Sequence, residues 1–258
     1  MGKYLKVAGL TDVGIERDHN EDSFGLFSEF NLFVVADGMG GHRAGDVASK
    51  MAVDTIEQFF KDTESDDVTW PFQFDPKLSF SVNRFSTAIQ LANNKIFSDS
   101  VIPGEHTGMG TTVVGILSID DNSAMHIAHV GDSRCYRLRD GDIELMTEDH
   151  SLINDYLRAA PDLSPEQLAE LPTNVITRAL GMQEMVEVDM QTMPVEVGDI
   201  MLLCSDGLSG MLTDEQIGSI VNEHINDLPQ ACAALVDAAN QHGGEDNSTV
   251  VLVQVCED

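Results

Sequence analysis

Leu32-Phe33-Val34-Val35-Ala36-Asp37-Gly38 runs five apolar residues straight into an acid and a glycine. A run this short, bounded by a turn signal, reads as a strand buried on both faces. Leu202-Leu203-Cys204-Ser205-Asp206-Gly207 repeats the arrangement, and His129-Val130-Gly131-Asp132 is a third variant. Further Val- and Ile-rich runs at Thr112 to Ile119, Ala124 to Val130, Cys135 to Leu138, Ile200 to Cys204 and Thr249 to Val255 are bounded by Gly, Asp or Asn and read as strands too.

Helical spacing appears between them. Ala44 to Phe60 places Val47, Met51, Ile56, Phe59 and Phe60 on one side, and Arg84 to Phe97 does the same with Phe85, Ile89, Ala92 and Ile96. Thr213 followed by Gln216 predicts a capping box opening a helix that runs to about Ile225. Pro229 suits the first turn of a second helix, which Gly243-Gly244 stops. Strands clustered in pairs and helices in sequential pairs give an α+β pattern, not the alternation of a parallel sheet. Two segments fall outside it: an acidic insertion at about 62–75 containing Trp70-Pro71, and a polar stretch at about 149–173 with a short capped helix expected from Ser164. Long excursions of this kind often serve as flaps.

The 258 residues carry 44 acidic and 14 basic side chains, a formal charge of −30. A phosphate backbone is bound by neutralising it with Lys and Arg, and an anionic membrane surface would repel such a chain, so neither nucleic acid nor membrane is an expected partner. With 42% hydrophobic residues the chain can bury a core, which excludes wholesale disorder. Cys135, Cys204, Cys232 and Cys256 form no C-x-x-C pair, against a zinc site or disulfide framework. No signal peptide or membrane span is legible, so a cytoplasmic monomer of one domain, 1–258, is expected.

The placement of certain acids carries the most information. Asp37, Asp132 and Asp206 each follow a strand, Asp246 opens the last one, and Glu21-Asp22 forms a fifth cluster near the first. Carboxylates gathered by a rigid sheet raise one another's pKa unless a cation compensates, and hard oxygen donors suit Mg²⁺ or Mn²⁺. An Asp-Gly after a strand is also an ordinary turn. Spacing alone leaves both readings open.

Arg17-Asp18-His19-Asn20-Glu21-Asp22, Val35-Ala36-Asp37-Gly38-Met39-Gly40-Gly41-His42, Gly108-Met109-Gly110-Thr111-Thr112, Val130-Gly131-Asp132-Ser133-Arg134, Ser205-Asp206-Gly207 and Glu245-Asp246-Asn247-Ser248-Thr249 together resemble the ordered motifs of the metal-dependent protein phosphatases, the protein phosphatase 2C family in its compact bacterial form. The likeness spans about Lys6 to Val255. It implies a four-layer α-β-β-α sandwich of two antiparallel sheets flanked by helix pairs, with the 149–173 stretch as the flap. It also implies metal-dependent hydrolysis of phosphoserine and phosphothreonine in proteins, with two Mn²⁺ or Mg²⁺ ions and a weaker third. By the same resemblance Asp37 bridges the metals, the Gly38 carbonyl is a ligand, Asp206 and Asp246 hold the first metal, and Asp132 with Asp206 holds the third. Glu21, Asp22 and Asn247 support that shell, and Arg17 clamps the phosphate.

The sequence departs from many eukaryotic members at Met39, where they carry a histidine proposed as general acid. His42 is a candidate replacement, although a metal-bound water is the expected donor. His126 and His129 are expected to be surface- or edge-facing. A Ser/Thr kinase or its targets are the implied partners. Two other readings are a catalytically inactive member used as a regulatory binding module and a passive acidic metal-binding protein; retention of every aligned carboxylate argues against the first. A phosphatase dedicated to one regulatory phosphoprotein would be expected to carry an added sensor domain, for which this length leaves no room.

Overall fold

The computed structural model describes residues 2–40, 44–64, 72, 74–119, 121–160, 167, 171–172 and 175–257. His42, Trp70-Pro71 and the start of the helix expected at Ser164 lie outside the described residues.

Two all-antiparallel sheets form the centre. One is ordered β1 (Lys3–Asp12), β11 (Ser248–Glu257), β10 (Ile200–Cys204), β7 (Arg134–Arg139), β8 (Asp142–Leu145). The other is ordered β2 (Asp22–Phe27), β3 (Leu32–Met39), β5 (Val113–Ile119), β6 (Ala124–Val130), β9 (Asp189–Pro194), with the two-residue β4 (Gly110–Thr111) on β3. Helices α1 (Ala44–Asp62) and α2 (Phe80–Ser100) cover the second sheet. Helices α5 (Asp214–Glu223) and α6 (Leu228–Gln241) cover the first, and α3 (Leu152–Ala159) and the one-turn α4 (Asp206–Ser209) are connections. This is the four-layer α+β sandwich.

Strand alternation builds it. In β3, Leu32, Val34 and Ala36 pack under α1 and α2, while Phe33 and Val35 point into the layer between the sheets. In β10, Ile200, Leu202 and Cys204 face α5 and α6, while Met201 and Leu203 face the other sheet. Successive side chains on a strand point to opposite faces, so each central strand is apolar throughout because both faces are covered. The capping box at Thr213 forms as expected, with Gln216 N donating to the Thr213 hydroxyl and Gln216 Oε1 accepting from Thr213 N.

Three features differ from the expectation. Helix α2 starts at Phe80, capped by the Ser79 hydroxyl, not near Arg84. Within the 149–173 stretch a helix the sequence did not predict, α3, is capped by Ser151, which also forms an antiparallel bridge with Ile176, and Gln167, in the helix expected from Ser164, is helical. His126 and His129 are buried, not surface-facing: a ring nitrogen of His126 lies 2.9 Å from the Ser81 hydroxyl, and His129 Nε2 donates to the Glu148 carbonyl. No described helix is long and apolar enough to cross a membrane.

Candidate metal centre

Parity along the strands explains where the acids meet. Asp37 continues the series Phe33, Val35 and so faces the layer between the sheets at its open end, where the apolar core stops. Asp22 is its register partner on β2 and shares that face. Ser205 continues Met201, Leu203, and Thr249 precedes Val251 on the same face of β11. Their hydroxyls donate to Asp22 Oδ2 at 2.7 and 2.6 Å. Asp22 Oδ1 is left buried with no hydrogen-bond partner.

Asp206, at the first turn of α4, adds its charge to that of Asp37. Asp132, in the β6–β7 turn, adds its charge to Asp37 and feels that of Asp206, and its Oδ1 is also buried and unpartnered. The structure therefore brings Asp22, Asp37, Asp132, Asp206 and Asp246 into one electrostatic cluster.

The titration of the cluster follows from its setting. Loss of hydration, then the charges of Asp206 and Asp246, push the Asp22 carboxyl up to about 7 despite the two hydroxyl donors. Burial, then Asp206 and Asp149, does the same for Asp132, also to about 7. Asp37 and Asp206 are raised as well, by burial first and by neighbouring carboxylates second.

Arg17 is the cation that touches the cluster: its Nη2 donates to Asp246 Oδ2 at 2.5 Å and its Nε to the Glu245 carbonyl at 3.3 Å. It is half exposed. One arginine cannot balance five acids. Orphaned buried oxygens on Asp22 and Asp132, an all-oxygen donor set and mutually raised pKa values fit hard divalent cations.

Two glycines allow the close packing. A Cβ on Gly38 would lie 2.0 Å from the Gly45 carbonyl oxygen at the start of α1, and one on Gly207 would lie 2.1 Å from the Asn247 carbonyl oxygen. Neither has a positive φ. These Asp-Gly pairs are sites of backbone contact, not turns that need left-handed geometry. The Gly38 amide donates to the Glu21 carbonyl at 3.1 Å, which ties β3 to the acidic loop.

Asn247 holds that loop. Its Oδ1 accepts from Glu21 N at 2.7 Å, and its Nδ2 donates to the Val13 and His19 carbonyls at 2.8 and 3.0 Å. All three side-chain bonds go to backbone, so Asn247 presents Glu21 through its main chain, while the Asn247 amide donates to Asp246 Oδ1 at 2.8 Å. Met39 pairs with Gly110 in β4 and has no proton to donate.

Several contributors stand in the quoted motifs without a role that the sequence assigns. Thr111 and Thr112 hydroxyls hydrogen-bond the Asp37 backbone, and Thr112 shares a 2.6 Å bond with Ser133 beside Asp132. Arg134 forks onto Asp149 through Nε and Nη2, at 3.0 and 2.7 Å, fastening the flap's first residue to β7. A buried hydroxyl next to a strand-end acid is the pattern that could have revealed the first group. A separate set, His129, His150 and Asp189, has potential donor atoms within 4.8 Å of one another.

A linkage prediction follows. A carboxyl raised to about 7 in the folded state favours folding at low pH, and that contribution is lost as pH rises through 7. The chelated protein is expected to melt several degrees lower at pH 8 than at pH 6.5; His150, which burial holds neutral, opposes this only below its ordinary 6.5. Mn²⁺ must displace these protons, so its stabilising effect is expected to grow over the same interval. Melting curves with and without Mn²⁺ check both signs.

Residues 15–245 match the family model described as Protein phosphatase 2C. A serine/threonine phosphatase stp from Listeria monocytogenes serotype 4b is 38% identical over 253 residues, covering 95% of this chain and 93% of the relative. The structure of the Streptococcus agalactiae serine/threonine phosphatase superposes with a TM-score of 0.83 at 34% identity, covering 98% of this chain and 100% of the other. The catalytic domain of the serine/threonine protein phosphatase PstP, in complex with two manganese ions, superposes with a TM-score of 0.81 at 31% identity, covering 99% and 100%.

Proposed function

The chain belongs to the protein phosphatase 2C family, and we propose that its carboxylate cluster is the metal centre of a protein serine/threonine phosphatase. The carrying observation is the convergence of Asp22, Asp37, Asp132, Asp206 and Asp246 with buried oxygens left unpartnered. Asp37, the Gly38 carbonyl, Asp206 and Asp246 would hold two Mn²⁺ or Mg²⁺ ions, and Asp132 with Asp206 a weaker third. Such ions supply a water acidified into a nucleophile and positive charge against the phosphoryl oxygens.

The chain's own residues do the rest. Ser205 and Thr249 fix Asp22 through one oxygen and leave the other free to face the centre. Asn247 sets the position of Glu21, whose carboxylate lies against the start of α1. Arg17 leaves Asp246 when ions neutralise that acid and forks onto two phosphoryl oxygens. The leaving alkoxide takes its proton from solvent ordered at the acids, since Met39 cannot give one.

Arg17→Ala is expected to lower kcat/KM for a phosphothreonine peptide by roughly 10²-fold, and Arg17→Lys to recover little, because an ammonium cannot fork. Equal activity of wild type and both variants would remove Arg17 from the site. The exposed acids Glu16, Asp18 and Glu245 around Arg17 favour substrates with basic residues beside the phosphosite.

The physiological partners in this reading are a cytoplasmic Ser/Thr protein kinase and its targets. Incubating the chain and Mn²⁺ with autophosphorylated candidate kinases tests it: loss of phosphothreonine from one kinase, abolished by Asp206→Ala, is expected. Release from free peptides but from no phosphoprotein would contradict it.

A further inference from the structure

His150 grips the turn that carries Asp132. Its backbone amide donates to the Gly131 carbonyl at 3.0 Å, and its Nδ1 accepts from the Gly131 amide at 3.0 Å. An acceptor Nδ1 puts the ring's proton on Nε2, which is buried, makes no hydrogen bond, and faces the Asp189 carboxylate by charge alone, 3.3 Å from Oδ2. Asp189 is held in turn by Arg178, whose Nη1 donates to Oδ1 at 2.6 Å. The ring is buried and stacked on His129, centroids 4.7 Å apart and planes within 15°.

These residues come from the two ends of the flap. His150 follows the Asp149 that Arg134 anchors, and Thr177 N donates to the His150 carbonyl one residue before Arg178. The chain Arg178–Asp189–His150–Gly131 therefore runs from the flap's return end to the residue beside Asp132. Gly131, with φ of 110°, has a conformation that other residues rarely adopt, so the turn needs an outside grip.

We propose that His150 is a positioning residue for Asp132, and that Arg178 and Asp189 lock its ring, so that the flap's two ends set how well Asp132 holds its ion. The proposal rests on the reading in which Asp132 takes part in the metal centre. A metal bound directly by His129, His150 and Asp189 is the competing use of these groups. Against it, Asp189 is already neutralised by Arg178, and His129 Nε2 is spent on the Glu148 carbonyl.

Calorimetric Mn²⁺ titration of the chelator-stripped full chain tests this, with melting curves alongside. Asp132→Ala and His150→Phe are expected to weaken the same, weakest binding step by about tenfold or more while the tighter steps stay in place; supporting residues typically change metal affinity by about 10–100-fold. His150→Asn keeps an acceptor near Nδ1 and should restore most of the step, which a merely structural loss would not allow. Asp189→Asn and Arg178→Gln, on less buried residues, should weaken it partially and serve if His150→Phe does not fold. A cooperatively melting His150→Phe with wild-type steps overturns the proposal, as does failure of His150→Asn to restore them. Loss of a step in His150→Phe that Asp132→Ala retains would put an ion on the histidine group and overturn it too. Absence of any Mn²⁺ step in the wild type would instead sink the metal-centre reading on which it rests.

Discussion

Asp206→Ala is expected to abolish measurable Mn²⁺-dependent turnover of a phosphothreonine peptide, while the metal-free variant melts no lower than the wild type. Both halves have one cause. Asp206 is shared by the first ion position and the weaker third proposed here, so its loss should exceed the roughly 10–100-fold cost of removing a supporting residue; a fall of about 10³-fold or more is expected. Without ions, Asp206 raises the pKa of Asp22 and Asp132 and is itself raised by burial and Asp246. Removing it relieves that repulsion, the trade of stability against function that strained sites show. Peptide turnover and melting temperature, measured on the same preparation, check the pair. Full turnover would remove Asp206 from the site, and a large destabilisation would mean its role is packing.

The second large effect is expected at Gly38. An added methyl would sit 2.0 Å from the Gly45 carbonyl oxygen and 2.5 Å from that of Glu21. Both obstacles are backbone, one at the start of α1 and one in the acidic loop, so neither can rotate away. Overpacking costs about 1–3 kcal/mol even where side chains can move, and Gly38→Ala should reach about 3 kcal/mol or more. For a chain of this length that lowers the melting temperature by roughly 6–12 °C. Gly104→Ala is the control, since nothing lies within 4 Å of its Cβ position and its φ is not positive. It should be neutral or slightly stabilising. Equal melting of the two variants would show that α1 does not dock tightly against Gly38.

What the sequence made legible divides along the sheets. The six strands read from apolar runs are β3, β5 and β6 of one sheet and β7, β10 and β11 of the other, and each has a neighbour on both sides. The edge strands β1, β2, β8 and β9 escaped the reading. Asp142–Leu145 and Asp189–Pro194 are half-polar and partly exposed, so no apolar run marks them. Burial on both faces writes a strand into composition; pairing on one edge does not.

The site shows the same division. Asp37, Asp132 and Asp206 were visible because an acid after a strand stands out, Asp246 and Glu21-Asp22 because they cluster at strand starts, and the ordered motif series added Arg17 and the role of each acid. Thr112, Ser133, Ser205 and Thr249 stand in the same motifs, but the use of their hydroxyls was not legible, because nothing in a residue's neighbours in sequence says which strand-end acid it will meet. His150 was hidden for the same reason: its partners, Gly131 and Asp189, come from separate connections. Asn247 was visible but its use was not, since its partners lie across the chain in the 13–21 segment. Of the 44 acids, six belong to the proposed centre or its support. The remaining charge bears on solubility and on the choice of basic phosphosites.

The most direct test is the anomalous scattering of manganese in crystals of the full chain grown with Mn²⁺. Two strong peaks are expected within bonding distance of carboxylate oxygens of Asp37, Asp206 and Asp246, with a weaker third beside Asp132. Peaks only at His129, His150 and Asp189, or none at the carboxylate cluster, would contradict the metal-centre reading.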